Sequence, residues 1–120
     1  MTTKRRKLAE QRGRWGETLA AWLLRLKGYR ILGRRVKTRA GEIDLIAKSP
    51  SGLICFIEVK ARPDAAQAME AVSPQQRARI ARAAELYLAG RPARLRFDVI
   101  TVVPGKLPRH LIDAFRPDGL

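Results

Sequence analysis

Two periodicities alternate along the chain. From Gly13 to Lys27 the apolar residues Trp15, Leu19, Trp22, Leu23 and Leu26 recur at offsets of three and four, the stripe of one helix face, and Gly28 supplies a stop. That stripe predicts that both tryptophans pack into a core rather than stack on bases. "YRILGRRVK", Tyr29 to Lys37, then reads as a first strand with Gly33 as a bulge. "GEIDLIAK", Gly41 to Lys48, is a second strand, and the turn "SPSG" leads straight into a third, "LICFIEVKAR", Leu53 to Arg62.

"PDAAQAMEAVSP" reads as a loop. Ser73, Pro74 and Gln76 then form an N-cap, a proline at the first helical position and a capping-box partner, which predicts a second helix with Ile80, Ala83, Ala84 and Tyr87 on its apolar face. "AGRP" ends it, "RLRFDVITVV", Arg94 to Val103, is a fourth strand, and "HLIDAF" is expected to be a short closing helix or turn. The order αβββαβ predicts an α/β fold, a mixed central sheet flanked by helices with one on each side. At 120 residues the chain holds one core: a flexible basic tail over 1–12 and a single domain over 13–120.

Charge narrows the partner. The net charge is +14 and the pI about 11.4, more than solubility requires, which points to a polyanion and foremost to nucleic acid. Residues 1–40 hold 13 Lys or Arg against 2 acids, a balance of +11; residues 41–120 hold 12 against 9, or +3. Cys55 is the single cysteine, so it forms no internal disulfide and is expected to pack as a small hydrophobe. No run approaches the ~20 apolar residues of a membrane span and no signal-peptide core opens the chain, so a cytoplasmic protein without membrane contact is expected.

In so basic a chain, Glu42, Asp44 and Glu58 stand inside the most strand-like segments, where acids are depleted and like charges repel. Strict alternation puts Glu42, Asp44 and Ile46 on one face of the second strand and Ile43, Leu45 and Ala47 on the other. Phe56, Glu58, Lys60 and Arg62 share a face of the third. The short turn makes the strands antiparallel neighbours, so Asp44 and Glu58 converge beside Lys60 if the register is in phase. Two close carboxylates raise each other's pKa or bind a cation. Their hard oxygens suit Mg²⁺, with Mn²⁺ as a substitute, and such a cation with a nearby lysine suits phosphodiester hydrolysis.

A carboxylate in one strand followed by ExK in the next, here Asp44 and Glu58-Val59-Lys60, resembles the PD-(D/E)xK nuclease superfamily with its restriction-endonuclease-like fold. Over "GRWGETLAAWLL", "GYRIL", "GEIDLIA", "FIEVKAR", "RFDVI" and "DAF" the chain more narrowly resembles the YraN-like family of predicted endonucleases, akin to archaeal Holliday-junction resolvases. The resemblance implies a metal-dependent endonuclease acting on branched or structured DNA. In it Asp44 and Glu58 would ligate the metal, the Val59 carbonyl would add a ligand, Lys60 would be the catalytic lysine and Glu17 an extra acid near the metal. Ile43 stands where the superfamily's name has proline, and Arg35 and Gln76 where asparagine and lysine are expected.

The alternative is a non-catalytic, basic nucleic-acid-binding module on the same fold, with Glu58 and Lys60 a same-face ion pair and Glu17 merely solvated. A ribosome-associated basic protein would account for the charge but not for the acids. Glu42 is expected to support the site by pairing with Lys60 or Arg62. Asp98 is assigned a structural salt bridge and His110 no role. Arg12, Arg14, Arg62, Arg77 and Arg79 are candidate phosphate contacts, which position a backbone without reading sequence. A nuclease cutting two strands would pair with itself, so a homodimer is expected.

Overall fold

The computed structural model describes residues 3–62 and 64–117, with side chains from residue 14 onward except that of residue 65. Eight elements follow in order: α1 (Thr3–Leu26), β1 (Arg30–Thr38), β2 (Gly41–Lys48), β3 (Ile54–Ala61), α2 (Ala65–Glu70), α3 (Pro74–Leu88), β4 (Leu95–Val102) and β5 (Arg109–Phe115). The five strands lie side by side in chain order, antiparallel except for the parallel pair β3–β4, which α2 and α3 connect. Helices cover both faces, as the αβββαβ reading requires. One core layer joins α3 to Ile43, Ile46, Phe56, Phe97, Val99 and Phe115; the other joins Ala20, Ala21 and Leu24 of α1 to Leu45, Ala47, Cys55, Ile57 and Ile100. No helix among the described residues is long and apolar enough to cross a membrane.

Three elements depart from the sequence reading. Helix α1 starts at Thr3, upstream of Gly13, and a short helix, α2, occupies the loop expected after β3; Asp64 caps it by accepting from Gln67 N at 2.8 Å. The closing segment is a strand. Two extra residues of β5 bulge between the pairs Val99–Leu111 and Phe97–Phe115, so its apolar residues Leu111, Ile112, Ala114 and Phe115 do not alternate. Asp113 sits in the bulge in the left-handed region, φ 54°, and its N–H donates to Asp98 Oδ1 at 2.9 Å.

Helix α1 is also turned over. Trp15, Trp22 and Leu26 are 64%, 58% and 83% exposed, whereas Gly16, Glu17, Ala20, Ala21 and Leu24 are buried against the sheet. Small side chains let a helix lie close to the strands beneath it, and a Cβ at Gly16 would touch Val59 and Val102 at 3.7 Å. This orientation carries Glu17 underneath, toward the carboxylates.

Candidate active site

The alternation of β2 slips by one residue at Asp44. Ile43 and Ile46 pack in one core layer while Leu45 and Ala47 pack in the other, so Ile43 leaves the face that strict alternation assigns it. Strand β1 follows: a bulge between Ile31 and Gly33 shifts its register by one, and Val36, paired with Ile43, packs with it in the α3 layer. The flanking pairs Arg34–Leu45 and Val36–Ile43 place Arg35, at φ 49°, opposite Asp44. With both strands kinked together, Ile43 and Val36 stay covered in the same layer.

On its other side β2 pairs with β3 only as far as Leu45–Ile57, and there the strands part. Ile54 and Arg62 donate their N–H groups to β4, so by the two-residue repeat Val59 turns its N–H and carbonyl toward β2. The missing ladder partner is replaced by a side chain: Asp44 Oδ2 accepts from Val59 N at 2.8 Å. Asp44 is thereby fixed within hydrogen-bonding reach of Glu58. Burial of Glu58, only 4% exposed, and then the charge and hydrogen bond of Asp44 push its carboxyl pKa up to about 9, against the weaker opposing pull of Lys60.

Lys60 Nζ lies 3.9 Å from Glu58 Oε2, and Gln76 of α3 completes its surroundings. With the amide oxygen facing the lysine, Gln76 Oε1 accepts from Lys60 Nζ at 3.1 Å and Nε2 donates to the Ala71 carbonyl at 2.8 Å. The opposite orientation sets two carbonyl oxygens against each other and leaves a 3.4 Å contact to Glu58 Oε2. Ser73 caps α3 as expected, accepting from Gln76 N at 3.2 Å, but the Gln76 side chain serves Lys60 instead of closing a capping box.

Glu17 is buried and bound: Arg35 Nε donates to its Oε2 at 2.7 Å. Among the described residues no three His, Cys, Asp or Glu side chains converge as a metal cage, so the immediate oxygen set is Asp44, Glu58 and the Val59 carbonyl. Glu42 is exposed opposite Lys37 of β1, and no ion pair to Lys60 or Arg62 forms; the expected pairing is corrected because Glu42 ends up at the strand's start, against β1.

The structure distributes the candidate phosphate contacts unevenly. Arg14 is exposed beside Glu17, and Arg62 is exposed just past Lys60, with Nη1 donating to the Ala61 carbonyl. Arg79 lays its stem over Gly41, where a Cβ would stand 3.0 Å from its Cδ; that and φ 142° explain glycine at the head of "GEIDLIA". Arg77 is half-buried, donating to the Val72 carbonyl at 3.0 Å and lying over the Phe115 ring, so its guanidinium is engaged internally. The Arg12 side chain lies outside the described residues.

Sequence reasoning missed a second polar cluster. Asp98, fully buried, accepts both prongs of Arg96 at 2.8 Å, His110 Nε2 lies 2.7 Å away, and Lys27 Nζ stands 2.6 Å from His110 Nδ1. Burial pushes the Asp98 carboxyl up, but the hydrogen bonds from His110, Arg96 and the Asp113 N–H outweigh it and hold the pKa below the ordinary carboxylate value. The salt bridge expected of Asp98 is present with Arg96, and His110 adds a hydrogen bond to the same carboxylate. Nothing in the local sequence of "RHLIDAF" signals this, because the contact depends on β5 pairing with β4. A cavity of about 540 Å³ beside Arg96 and Phe115, at the opposite end of β4 from the carboxylate pair, contains neither Asp44 nor Glu58. Cys55 is buried, and burial pushes its thiol up to about 11, which suits an inert packing residue.

Residues 16–102 match the model of the uncharacterised protein family UPF0102, a span from the glycine before Glu17 to the end of β4. The chain is 49% identical to a UPF0102 protein of Maricaulis maris, covering 96% of this chain and 93% of that one. It is 52% identical to one of Agrobacterium fabrum, covering 95% of each, and 50% identical to one of Rhizobium etli, covering 96% of each. The chain belongs to the UPF0102 family, the YraN-like family that its "GEIDLIA" and "FIEVKAR" strands resemble.

Proposed function

We propose that this protein is a metal-dependent endonuclease that hydrolyses phosphodiester bonds in DNA, with branched or otherwise structured DNA as its substrate. The observation that carries the reading is the meeting of Asp44 and Glu58 where β2 and β3 part. A protein that only binds phosphate gains nothing from a pair of acids set beside a lysine, because carboxylates repel the ligand. The donor set fits a hard divalent cation: two carboxylates and the Val59 carbonyl supply oxygens, as Mg²⁺ or Mn²⁺ prefers when it keeps waters and takes a substrate phosphate. Held there, the cation would polarise the phosphodiester and lower the pKa of a bound water.

The chain's own groups have distinct tasks. Glu58 would give up its proton to hold the cation, and Asp44 is held in place by the Val59 N–H. Lys60, steadied by Gln76, brings a positive charge to the reacting phosphate, where it orients the nucleophile or stabilises the developing charge. Glu17 is the additional acid, held beside the pair by Arg35. A homodimer would supply a second centre for a second strand. The second reading, a non-catalytic nucleic-acid-binding module, is favoured by that Arg35–Glu17 bond, which occupies the third acid.

The test is calorimetric titration of Mg²⁺ and Mn²⁺ into wild type, Asp44→Asn and Glu58→Gln, with cleavage assays on duplex, single-stranded, flap and four-way-junction DNA. Cation binding lost in both folded variants, with metal-dependent cleavage by wild type and low-salt DNA affinity retained or raised in Asp44→Asn, is expected. Absence of cation binding even with DNA present would overturn the nuclease and leave the binding module.

A further inference from the structure

We propose that the cavity between α1 and β1 receives a backbone phosphate of the bound DNA, adjacent along the strand to the phosphate that is cut. The inference rests on the nuclease reading. The cavity, about 440 Å³, is lined by Arg14, Glu17, Thr18, Arg34 and Arg35, so three guanidinium groups face a single carboxylate. That carboxylate is already taken, by Arg35. Arg34 forms no ion pair among the described side chains, and its Nη2 donates to Thr18 Oγ1 at 3.1 Å, which fixes the direction of its fork. A planar guanidinium held this way offers two parallel donors to a phosphate.

The place of the cavity argues for a DNA strand in particular. Strand β1 is the edge of the sheet, so no further strand covers Arg34. Arg35 stands opposite Asp44 and feels the charges of Glu17, Glu42 and Asp44, so the cavity borders the carboxylate pair. A strand whose scissile phosphate sits at Asp44 and Glu58 would bring its neighbour to Arg34. There the phosphate competes with Glu17 for Arg35, and Glu17, once released, becomes available to the cation. One ligand would thereby occupy the basic cavity and complete the acidic one.

The experiment is fluorescence anisotropy of labelled four-way-junction and duplex DNA, without divalent metal, over a salt series. It uses wild type, Arg34→Ala, Arg34→Lys and the control Arg91→Ala, whose guanidinium is tied to the Leu88 and Tyr87 carbonyls. Arg34→Ala is expected to weaken binding roughly five- to tenfold and to lower the salt slope by about one phosphate's worth. Arg34→Lys keeps the slope but not the full affinity, and Arg91→Ala matches wild type. If wild type binds DNA and Arg34→Ala matches it in affinity and slope, the phosphate position is wrong while the nuclease reading stands. If wild type binds no DNA even at low salt, the nucleic-acid reading fails and takes the phosphate position with it. Calorimetry adds a readout apart from cleavage: DNA should tighten Ca²⁺ binding in wild type more than in Arg35→Ala, where Glu17 is free beforehand and DNA adds only the scissile phosphate. Equal dependence on DNA in both would overturn the exchange at Arg35.

Discussion

Glu58 is the residue at which burial, charge and chemistry meet. Its pKa in the folded chain stands near 9 against an ordinary 4.5, so between those values the folded protein holds a proton that the unfolded chain has lost. Stability therefore falls as pH rises through that window, the opposite of an ion-paired carboxylate. Glu58→Gln, which is neutral at every pH, should gain thermal stability over wild type progressively from about pH 4.5 to about pH 9. Melting curves across that range test it, and parallel curves for the two proteins would refute it. The same proton must leave when a cation binds, so Mg²⁺ affinity should rise with pH up to about 9, checked by titration in buffers of different ionisation enthalpy. Asp98 behaves oppositely: its folded pKa is lowered, so its contribution is present above the ordinary value of 3.8 and lost as pH falls through the folded value. Asp98→Ala would strand Arg96 and His110 and free the bulge at Asp113; a cost of about 3–5 kcal/mol in denaturant melts is expected.

Among the elements, α1 shows why a hydrophobic stripe is an incomplete guide. Its large apolar residues form the more regular helical pattern, yet its small ones lie on the sheet, because a helix crossing close above strands has room for Gly16, Ala20 and Ala21 but not for two indoles. Trp22→Ala should change stability by no more than about 0.5 kcal/mol, as surface substitutions do. Ala21→Leu, adding bulk at a fully buried position, should cost about 1–3 kcal/mol. Chemical denaturation of the two variants tells the faces apart, and the reverse order of effects would mean that the stripe faces inward. The strands teach a related lesson. "GEIDLIAK" was legible as a strand to the residue, but alternation could not reveal the slip at Asp44, since the matching kink lies in β1. The closing strand was misread because its bulge breaks the two-residue alternation that would mark "HLIDAF" as a strand.

Across the whole molecule, the proposed function gives basic charge and acidic pair different tasks. The net charge of +14 would draw in a polyanion and make binding fall with salt, while the Asp44 carboxylate would add a local repulsion that a bound cation cancels. DNA affinity should accordingly fall steeply with salt in wild type and Asp44→Asn alike, a comparison made in the absence of divalent metal. A flat salt response would contradict the electrostatic role of the charge.

The sequence by itself determined the strands that hold Asp44, Glu58 and Lys60 and the elements of the order αβββαβ, though not the added α2 or β5, because strand composition, turn chemistry and a motif confined to two neighbouring strands are local properties. It also determined that these acids needed an explanation, since unpaired carboxylates are costly in a strand. Tertiary structure decided how they meet. The parting of β2 from β3, the side-chain bond from Asp44 to the Val59 N–H, the capture of Glu17 by Arg35 and the recruitment of Gln76 and His110 all depend on contacts between distant segments. Such contacts are set by packing on the two faces of the sheet, where a shift of one residue reverses a side chain, and no local pattern fixes that shift.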